Sequence, residues 1–575
     1  MTKETKIPIK CRCDGANDSA YGRRFCMLPD FAVGLPPSRI DVYVPGAIKL
    51  APQISEVPED DKELQISQTL QRGAQNYPNR KEASNCIIRS LEHWCEGFSD
   101  FKSTYLSLPY GSRIVVENAS SSIERTVIHF VPTYTLEKQW VSPKNLRARW
   151  EVSQEVILAN WPETIDIGEL RLHSQPHDAI SLVTIPKHHQ TKLFVFKSPI
   201  EHVEFLYQEL KLLLSMKPHP NILPPPLFLV TAKCLFGGKV GVCGIIEEYY
   251  DIGSLRDLFN SKVHESLCNG ITTRDQVTWS QEIISALEFI NKSPVGYYPD
   301  MKADNVILKH GSNGKLKTLL IDFEQRGAHY YHSPPEIYYI NYFEQLVTAP
   351  SSPKWMVDKY SRLLEEYIPT WRPEALITVR PSDAKDGNSA AWNFMSQRER
   401  EAAQVFMYGK LLWCLFEKAS TVNGRLGFGI TEQESNSLVF PEFQQTPMEV
   451  RDLIRSCTTG AMEWEGRNWM ATVGGKAQPG DASAANSYEN HVDEETEAER
   501  EAIKVWWSEE IQKAESFLVE KIRLRKLEVE FPAIPFPSSE DRIAAAGAAT
   551  LYHAAHRPRF SEITTELRKI AGIYQ

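Results

Sequence analysis

Asp300, Lys302 and Asn305 lie within one short segment, and a further aspartate, Asp322, follows the apolar run Leu319–Leu320–Ile321. A carboxylate, an ammonium two positions on, an amide at plus five and a second carboxylate are the groups that phosphoryl transfer requires. In that chemistry Asp300 orients an attacking hydroxyl and Lys302 neutralises the moving phosphoryl group. Asn305 and Asp322 offer oxygen to Mg2+, a hard cation that prefers such ligands. The runs Val306–Ile307–Leu308 and Leu319–Ile321 read as two short strands carrying these groups into one cleft.

The elements around this segment divide the chain. Residues 1–160 hold alternating stretches at Arg113–Glu117 and Thr126–Val131, which read as strands. They also hold a helix from Arg80 to Trp94 with Ala83, Ile87, Leu91 and Trp94 at three- and four-residue steps. No chemical motif stands out there, and the role of the region is open. From about 161 the pattern becomes strands in series, at Ala179–Ile185 and Lys192–Lys197. A helix from Ile200 to Met216 follows, buried through Val203, Leu206, Leu210 and Leu213, and then strands at Leu227–Thr231 and Val240–Ile246. Beyond 250 the chain reads as mostly helical, so an α+β architecture with a small β-rich lobe and a larger helical lobe is expected. Lys197 closes an apolar run, where an unpaired ammonium would be costly. Glu209 on the following helix is its natural partner.

Bulk properties narrow the function classes. A hydrophobic content of 42% and a charged content of 24% over 575 residues describe a globular protein with more than one domain. The net charge of −10 argues against nucleic acid or an anionic membrane surface as partner. Cys11, Cys13 and Cys26 are the only close group among ten cysteines, and their spacing is not that of a strong zinc site. Reduced thiols are expected. No secretory signal and no membrane span is legible, so the expectation is an intracellular protein, cytoplasmic or nuclear. Two insertions are expected in the helical lobe. Residues 346–395, rich in proline, read as an inserted hairpin and helices. Residues 472–545 begin with a polar, acidic loop (472–495) and continue into an amphipathic helix at 503–522. That helix carries Ile503, Trp507, Ile511, Ala514, Leu518 and Ile522, a stripe suited to packing on the lobe or to docking a partner.

Several ordered motifs together resemble a divergent eukaryotic-type protein kinase. Phe194–Lys197 resembles the third-strand lysine motif, and His219–Ile222 resembles the turn after the mobile helix. Glu248–Leu255 resembles the hinge. Tyr298–Asn305 with Asp322–Glu324 resembles the catalytic and metal-binding loops. Ser333–Glu336 resembles Ala-Pro-Glu, Val405–Gly409 the core helix of the large lobe, and His556–Ile563 the closing arginine motif. The overall flavour is similar to kinase-like proteins of filamentous fungi. The resemblance implies a bilobal fold over 161–575, with an N-lobe to about 250 and a C-lobe from about 251. It implies ATP and Mg2+ as cofactors. Lys197 would contact the phosphates, oriented by Glu209. Val195 would lie over adenine, and Glu248 and Tyr250 would form the hinge. Asp300 would be the base, Lys302 would steady the γ-phosphate, and Asn305 and Asp322 would hold the metal. Glu336 would pair with Arg557. Lys302 implies a serine/threonine rather than a tyrosine kinase, acting on a protein substrate.

Departures from the pattern fall on regulation and on the phosphate flap. No glycine-rich loop precedes Lys197; the corresponding turn, Leu172–Asp178, has a proline and no glycine, which predicts weaker nucleotide affinity. Val195 replaces a smaller alanine. Tyr298–Pro299 replaces His-Arg, so no cation awaits a phosphate on the loop from Asp322 to Glu336. Gln404 stands where the core helix carries aspartate, and Glu324 replaces a flexible glycine. The absent glycine loop supports an alternative, a pseudokinase acting as a nucleotide-binding or scaffolding module. Ile321–Glu324 also resembles choline- and aminoglycoside-type kinases, a third reading.

Overall fold

The computed structural model describes residues 9–19, 22–45, 80–117, 126–153, 161–177, 179–235, 237–260, 262–311, 314–325, 332–348, 352–369, 390–422, 438–465, 497–530 and 546–574, with 123 and 371. The acidic stretch 472–495, Tyr330 and Tyr331 lie outside them. The chain is a mixed α/β protein that divides into two compact units. The first comprises residues 1–53, 77–218 and 224–251, the second 54–76, 219–223 and 252–575.

The first unit contains strands β1 (Cys11–Ser19), β2 (Gly22–Pro29) and β3 (Asp41–Pro45), then helices α1 (Arg80–Glu96) and α2 (Phe101–Leu106). Strands β4 (Arg113–Glu117) and β5 (Val127–Val131) and helices α3 (Thr135–Gln139) and α4 (Pro143–Ser153) follow. Next come β6 (Glu163–Asp166), β7 (Arg171–Ser174), β8 (Ile180–Ile185), β9 (His189–Lys197), α5 (Val203–Ser215), β10 (Phe228–Lys233) and β11 (Val240–Glu248). Strands β1 to β5 form one sheet in chain order, with β3 and β4 parallel. Ile87, Leu91 and Cys95 at helical spacing on α1 cover this sheet through Phe25, Val42, Ile114 and Val116. The second sheet has the order β6-β10-β11-β9-β8-β7, parallel only between β6 and β10. β8 alternates as a half-buried strand should, with Ser181, Val183 and Ile185 inward. Two hydrophobic cores join the halves of this unit. Leu28, Ala32, Leu136 and Trp140 pack with Val183, Phe194 and Phe196. Leu146 and Trp150 of α4 pack with Leu206, Leu210 and Leu214 of α5.

The second unit contains α6 (Leu255–Asn260), α7 (Glu265–Gly270), α8 (Thr273–Lys292), the hairpin β12 (Val306–His310) and β13 (Leu316–Leu320), α9 (Pro335–Thr348), α10 (Lys354–Tyr367), α11 (Ala390–Asn393), α12 (Gln397–Glu417), α13 (Met448–Cys457), α14 (Glu497–Glu530), α15 (Ala546–His556) and α16 (Phe560–Ile573). Reciprocal capping boxes, Thr272 with Asp275 and Ser396 with Glu399, begin α8 and α12. α12 is the central helix of this unit, buried on every side from Glu401 to Glu417. Gly409 lets α13 approach it: a Cβ there would lie 2.7 Å from Cβ of Cys457. α10 and α11 occupy the described part of 346–395. In α14 the stripe Trp507, Ile511, Ala514, Leu518 and Ile522 is buried. Trp507 meets Tyr342 and Phe517 meets Tyr339 of α9, at ring separations of 5.3 and 5.9 Å. That stripe is therefore covered within its own unit. No helix among the described residues is long and apolar enough to cross a membrane.

α9 buries one carboxyl at a cost. Burial pushes Glu344 up to about 7 from an ordinary value of 4.5, and its Oε1 has no hydrogen-bond partner among the described residues. A carboxyl raised in the folded state favours folding below its unfolded pKa, and that contribution is lost as pH rises through the folded value. The difference between the two values corresponds to about 3 kcal/mol at most. Glu344→Gln is therefore expected to match the native chain in urea unfolding near pH 4.5 and to exceed it in stability at pH 8. An equal pH slope for both proteins would refute this.

Candidate active site

Lys197, Glu209, Val195, Glu248 and Tyr250 belong to the first unit; Asp300, Lys302, Asn305 and Asp322 belong to the second. Each group is built by its own unit's elements.

In the first unit Lys197 ends β9, paired in register with Ile180 on one side and Ile245 on the other. The strand leaves its ammonium inside the sheet's covered face, 7% exposed, where it needs an anion. α5 supplies one. Its Leu206, Leu210 and Leu213 fix the helix by burial and turn Glu209 inward, so that Oε2 lies 2.7 Å from Nζ of Lys197. Breaking one side of so buried a pair typically costs about 3–5 kcal/mol. Val195 stands one step along β9, opposite Glu247 on β11 and Leu182 on β8. Glu248 ends β11, where it accepts from Lys192 Nζ at 3.1 Å and from the Tyr250 hydroxyl at 3.2 Å. Burial, with Glu248 beside it, raises the Tyr250 phenol above its ordinary value.

In the second unit the segment after α8 places the remaining groups. Asp300 Oδ2 accepts from Lys302 Nζ at 2.8 Å and from Asn305 Nδ2 at 2.9 Å. Asp300 Oδ1 is buried and, among the described residues, accepts no hydrogen bond. Burial raises this carboxyl above its ordinary range, with Lys302 and Asn305 pulling the other way and Asp322 adding to the rise. Burial lowers the Lys302 ammonium, but Asp300, Asp304 and Asp322 together outweigh it, so the group ends above its ordinary value. A short 3-10 turn, Ala303–Asn305, carries the amide, and Arg256 holds its Asp304 at 2.9 Å. Asn305 spends its Nδ2 on the Asp300 carbonyl and carboxylate.

Asp322 follows β13 in the left-handed region, at φ 63°. For a non-glycine residue that is a strained conformation, of order 1–3 kcal/mol, of a kind that clusters at functional sites. Ile321 N donates to the Asn305 carbonyl at 3.1 Å, tying the two loops together. Ile321 O accepts from the hydroxyl of Tyr298, a fully buried residue. Tyr298 N donates in turn to Gln404 Oε1 of α12 at 2.8 Å. The sequence departures at Tyr298 and Gln404 thus form a neutral hydrogen-bonded strut from the core helix to the backbone before Asp322. Glu324, readable in the sequence only as a lost glycine, is buried, with a carboxylate oxygen within 4.8 Å of one on Asp322. Two carboxylate oxygens at this separation are the kind of donor a hard cation prefers over a soft one.

The sequence also pairs Glu336 with Arg557, and the structure brings them together. Both are buried, and the guanidinium meets the carboxylate in a two-pronged contact, Nη1 with Oε1 and Nη2 with Oε2 at 3.2 Å. No family model matches the chain, and no curated protein matches it.

Proposed function

We propose that the chain has a bilobal protein kinase-like fold and is an ATP-dependent phosphotransferase, a serine/threonine kinase acting on a protein hydroxyl. The observation that carries this reading is the Asp300 carboxylate. One oxygen is immobilised by an ammonium and an amide, and the other is buried with its lone pairs uncommitted. A buried oxygen left in this way calls for an explanation, and a base turned toward a substrate hydroxyl supplies one, since the other oxygen is already fixed by the ammonium and the amide.

In this reading Oδ1 of Asp300 orients a substrate hydroxyl and takes its proton. Lys302 holds the carboxylate and presents its ammonium to the γ-phosphate. Lys197, fixed by Glu209, meets the α- and β-phosphates. Asn305 and Asp322, with Glu324 beside them, would hold magnesium, which would supply positive charge against the phosphate oxygens. Val195, Glu248 and Tyr250 border the adenine end.

A second reading, nucleotide binding or scaffolding without transfer, is favoured by one contact. The Gln175 amide in the glycine-free turn already donates to Asp14 Oδ2 at 2.8 Å, so it does not serve a phosphate. Purified chain with MgATP is expected to melt at a higher temperature and to transfer labelled γ-phosphate to serine- and threonine-containing protein, both effects lost in Lys197→Met. A melting shift without transfer would instead establish the binding-only reading; neither shift nor transfer would overturn the enzyme and the nucleotide-binding module alike and leave scaffolding.

A further inference from the structure

The turn between β7 and β8 is held from outside its own sheet. Gln175 donates its backbone N–H to Asp14 Oδ2 at 2.8 Å and its side-chain amide to Asp41 Oδ1 at 2.9 Å. Asp41 is itself fixed by Arg39 Nε at 3.1 Å, and Arg39 Nη2 reaches the His177 carbonyl at 3.3 Å. Arg12 Nη2 donates to the His173 carbonyl at 2.6 Å. Gly15 completes the contact by backbone: a Cβ there would lie 2.3 Å from the Pro176 carbonyl oxygen. All these partners come from β1, β3 and the residues just before β3.

The helix that carries Glu209 is held by the same half of the chain. Gln139 Oε1 accepts from Val203 N at 3.4 Å, at the start of α5. One turn on, the Tyr207 hydroxyl accepts from Val141 N at 2.9 Å and donates to the Val242 carbonyl at 2.7 Å. Leu146 and Trp150 then cover Leu206, Leu210 and Leu214.

We propose that β1–β5 with α3 and α4 form a built-in brace that positions two parts of the nucleotide half-site, the β7–β8 turn and α5. This role rests on the kinase reading above. A turn containing proline and bulky side chains cannot close on phosphates as glycines do. If it were also loose, ordering it at each binding event would weaken affinity further. The brace orders the turn before nucleotide arrives, and it keeps Glu209 against Lys197 without a phosphorylated loop or a second protein. Asp14, Gln175 and Tyr207 are positioning residues in this scheme; none touches nucleotide.

Full-length Asp14→Ala, Gln175→Ala and Tyr207→Phe test this, with hydrogen exchange, MgATP kinetics and melting temperature as readouts. Asp14→Ala and Gln175→Ala are expected to speed exchange across 171–177 and to raise KM for ATP about fivefold, the worth of a single hydrogen bond, with kcat kept. Asp14→Asn, which retains an acceptor oxygen, is expected to restore the low KM. Tyr207→Phe is expected to speed exchange across 203–215. Lower melting temperatures with unchanged exchange in both segments would show ordinary packing and overturn the brace. A lower KM in Asp14→Ala would also overturn it, since the turn would then be held against nucleotide. Native chain that binds no MgATP would refute the kinase reading instead, and the exchange comparison alone would then decide the brace.

Discussion

Replacing Asp300 with asparagine is expected to lower phosphoryl transfer by about 10²–10⁴-fold, the usual contribution of a positioned base, while MgATP still raises the melting temperature. The substitution is nearly isosteric. An amide oxygen can still accept from Lys302 Nζ and Asn305 Nδ2, the two donors now 2.8 and 2.9 Å from Oδ2. What disappears is the basic oxygen that the proposed mechanism turns toward a substrate hydroxyl. The variant therefore separates chemistry from folding and from nucleotide binding. Steady-state transfer measured beside a thermal shift checks it. Unchanged turnover would remove Asp300 from the mechanism; an equal loss of nucleotide binding would make it a structural residue.

Arg557→Ala and Glu336→Ala are each expected to destabilise the second unit by about 3–5 kcal/mol, because either one leaves a buried charge without its counter-ion. Arg557 makes more than the ion pair. Its Nε donates to the Thr459 carbonyl at 3.0 Å, its Nη1 to the Ala402 carbonyl at 3.2 Å, and its guanidinium lies 4.7 Å from the Phe406 ring centre. One side chain thus joins α9, α12 and the turn after α13. Lysine cannot reproduce that planar fork, so Arg557→Lys is expected to recover little. In urea unfolding the double variant should lose clearly less than the sum of the two single losses, since the second substitution removes a charge already orphaned. Additive losses would mean that the two residues act separately.

What the sequence made legible follows the range of the forces involved. Strands β4, β8 and β9 and helices α1 and α5 were readable because alternation and helical spacing are local signals, carried by residues such as Val183 and Leu210. β1 was not, because Gly15, Asn17 and Asp18 are turn formers and no apolar alternation marks the strand. Its pairing with β2 depends on register rather than composition. Lys197 and Glu209 could be put together from a costly buried ammonium and a helix stripe, and Glu336 with Arg557 from motif order. Gln404 could be read only as a missing charge. That its amide supports Tyr298 depends on a contact across 106 residues, which no window along the chain reveals. The Asp14–Gln175 bond, 161 residues apart, was invisible for the same reason. Glu324 looked like a loss because a sequence shows which residue is absent from a pattern, not where the replacement points.

The ion pair between Glu336 and Arg557 also sets a schedule. Its partners are separated by 221 residues. At about 5–20 residues per second of synthesis, roughly 10–45 s pass between the appearance of one partner and the other. During that interval α9 has left the ribosome with its carboxylate unmatched and its tyrosine-rich face uncovered, because α14 also arrives late. The second unit can therefore complete its core only after residue 557 has been made, while the first unit, finished by residue 251, has every element it needs well before that. Slow codons between 337 and 557 would lengthen that exposure, and chaperone capture of nascent chains should concentrate there.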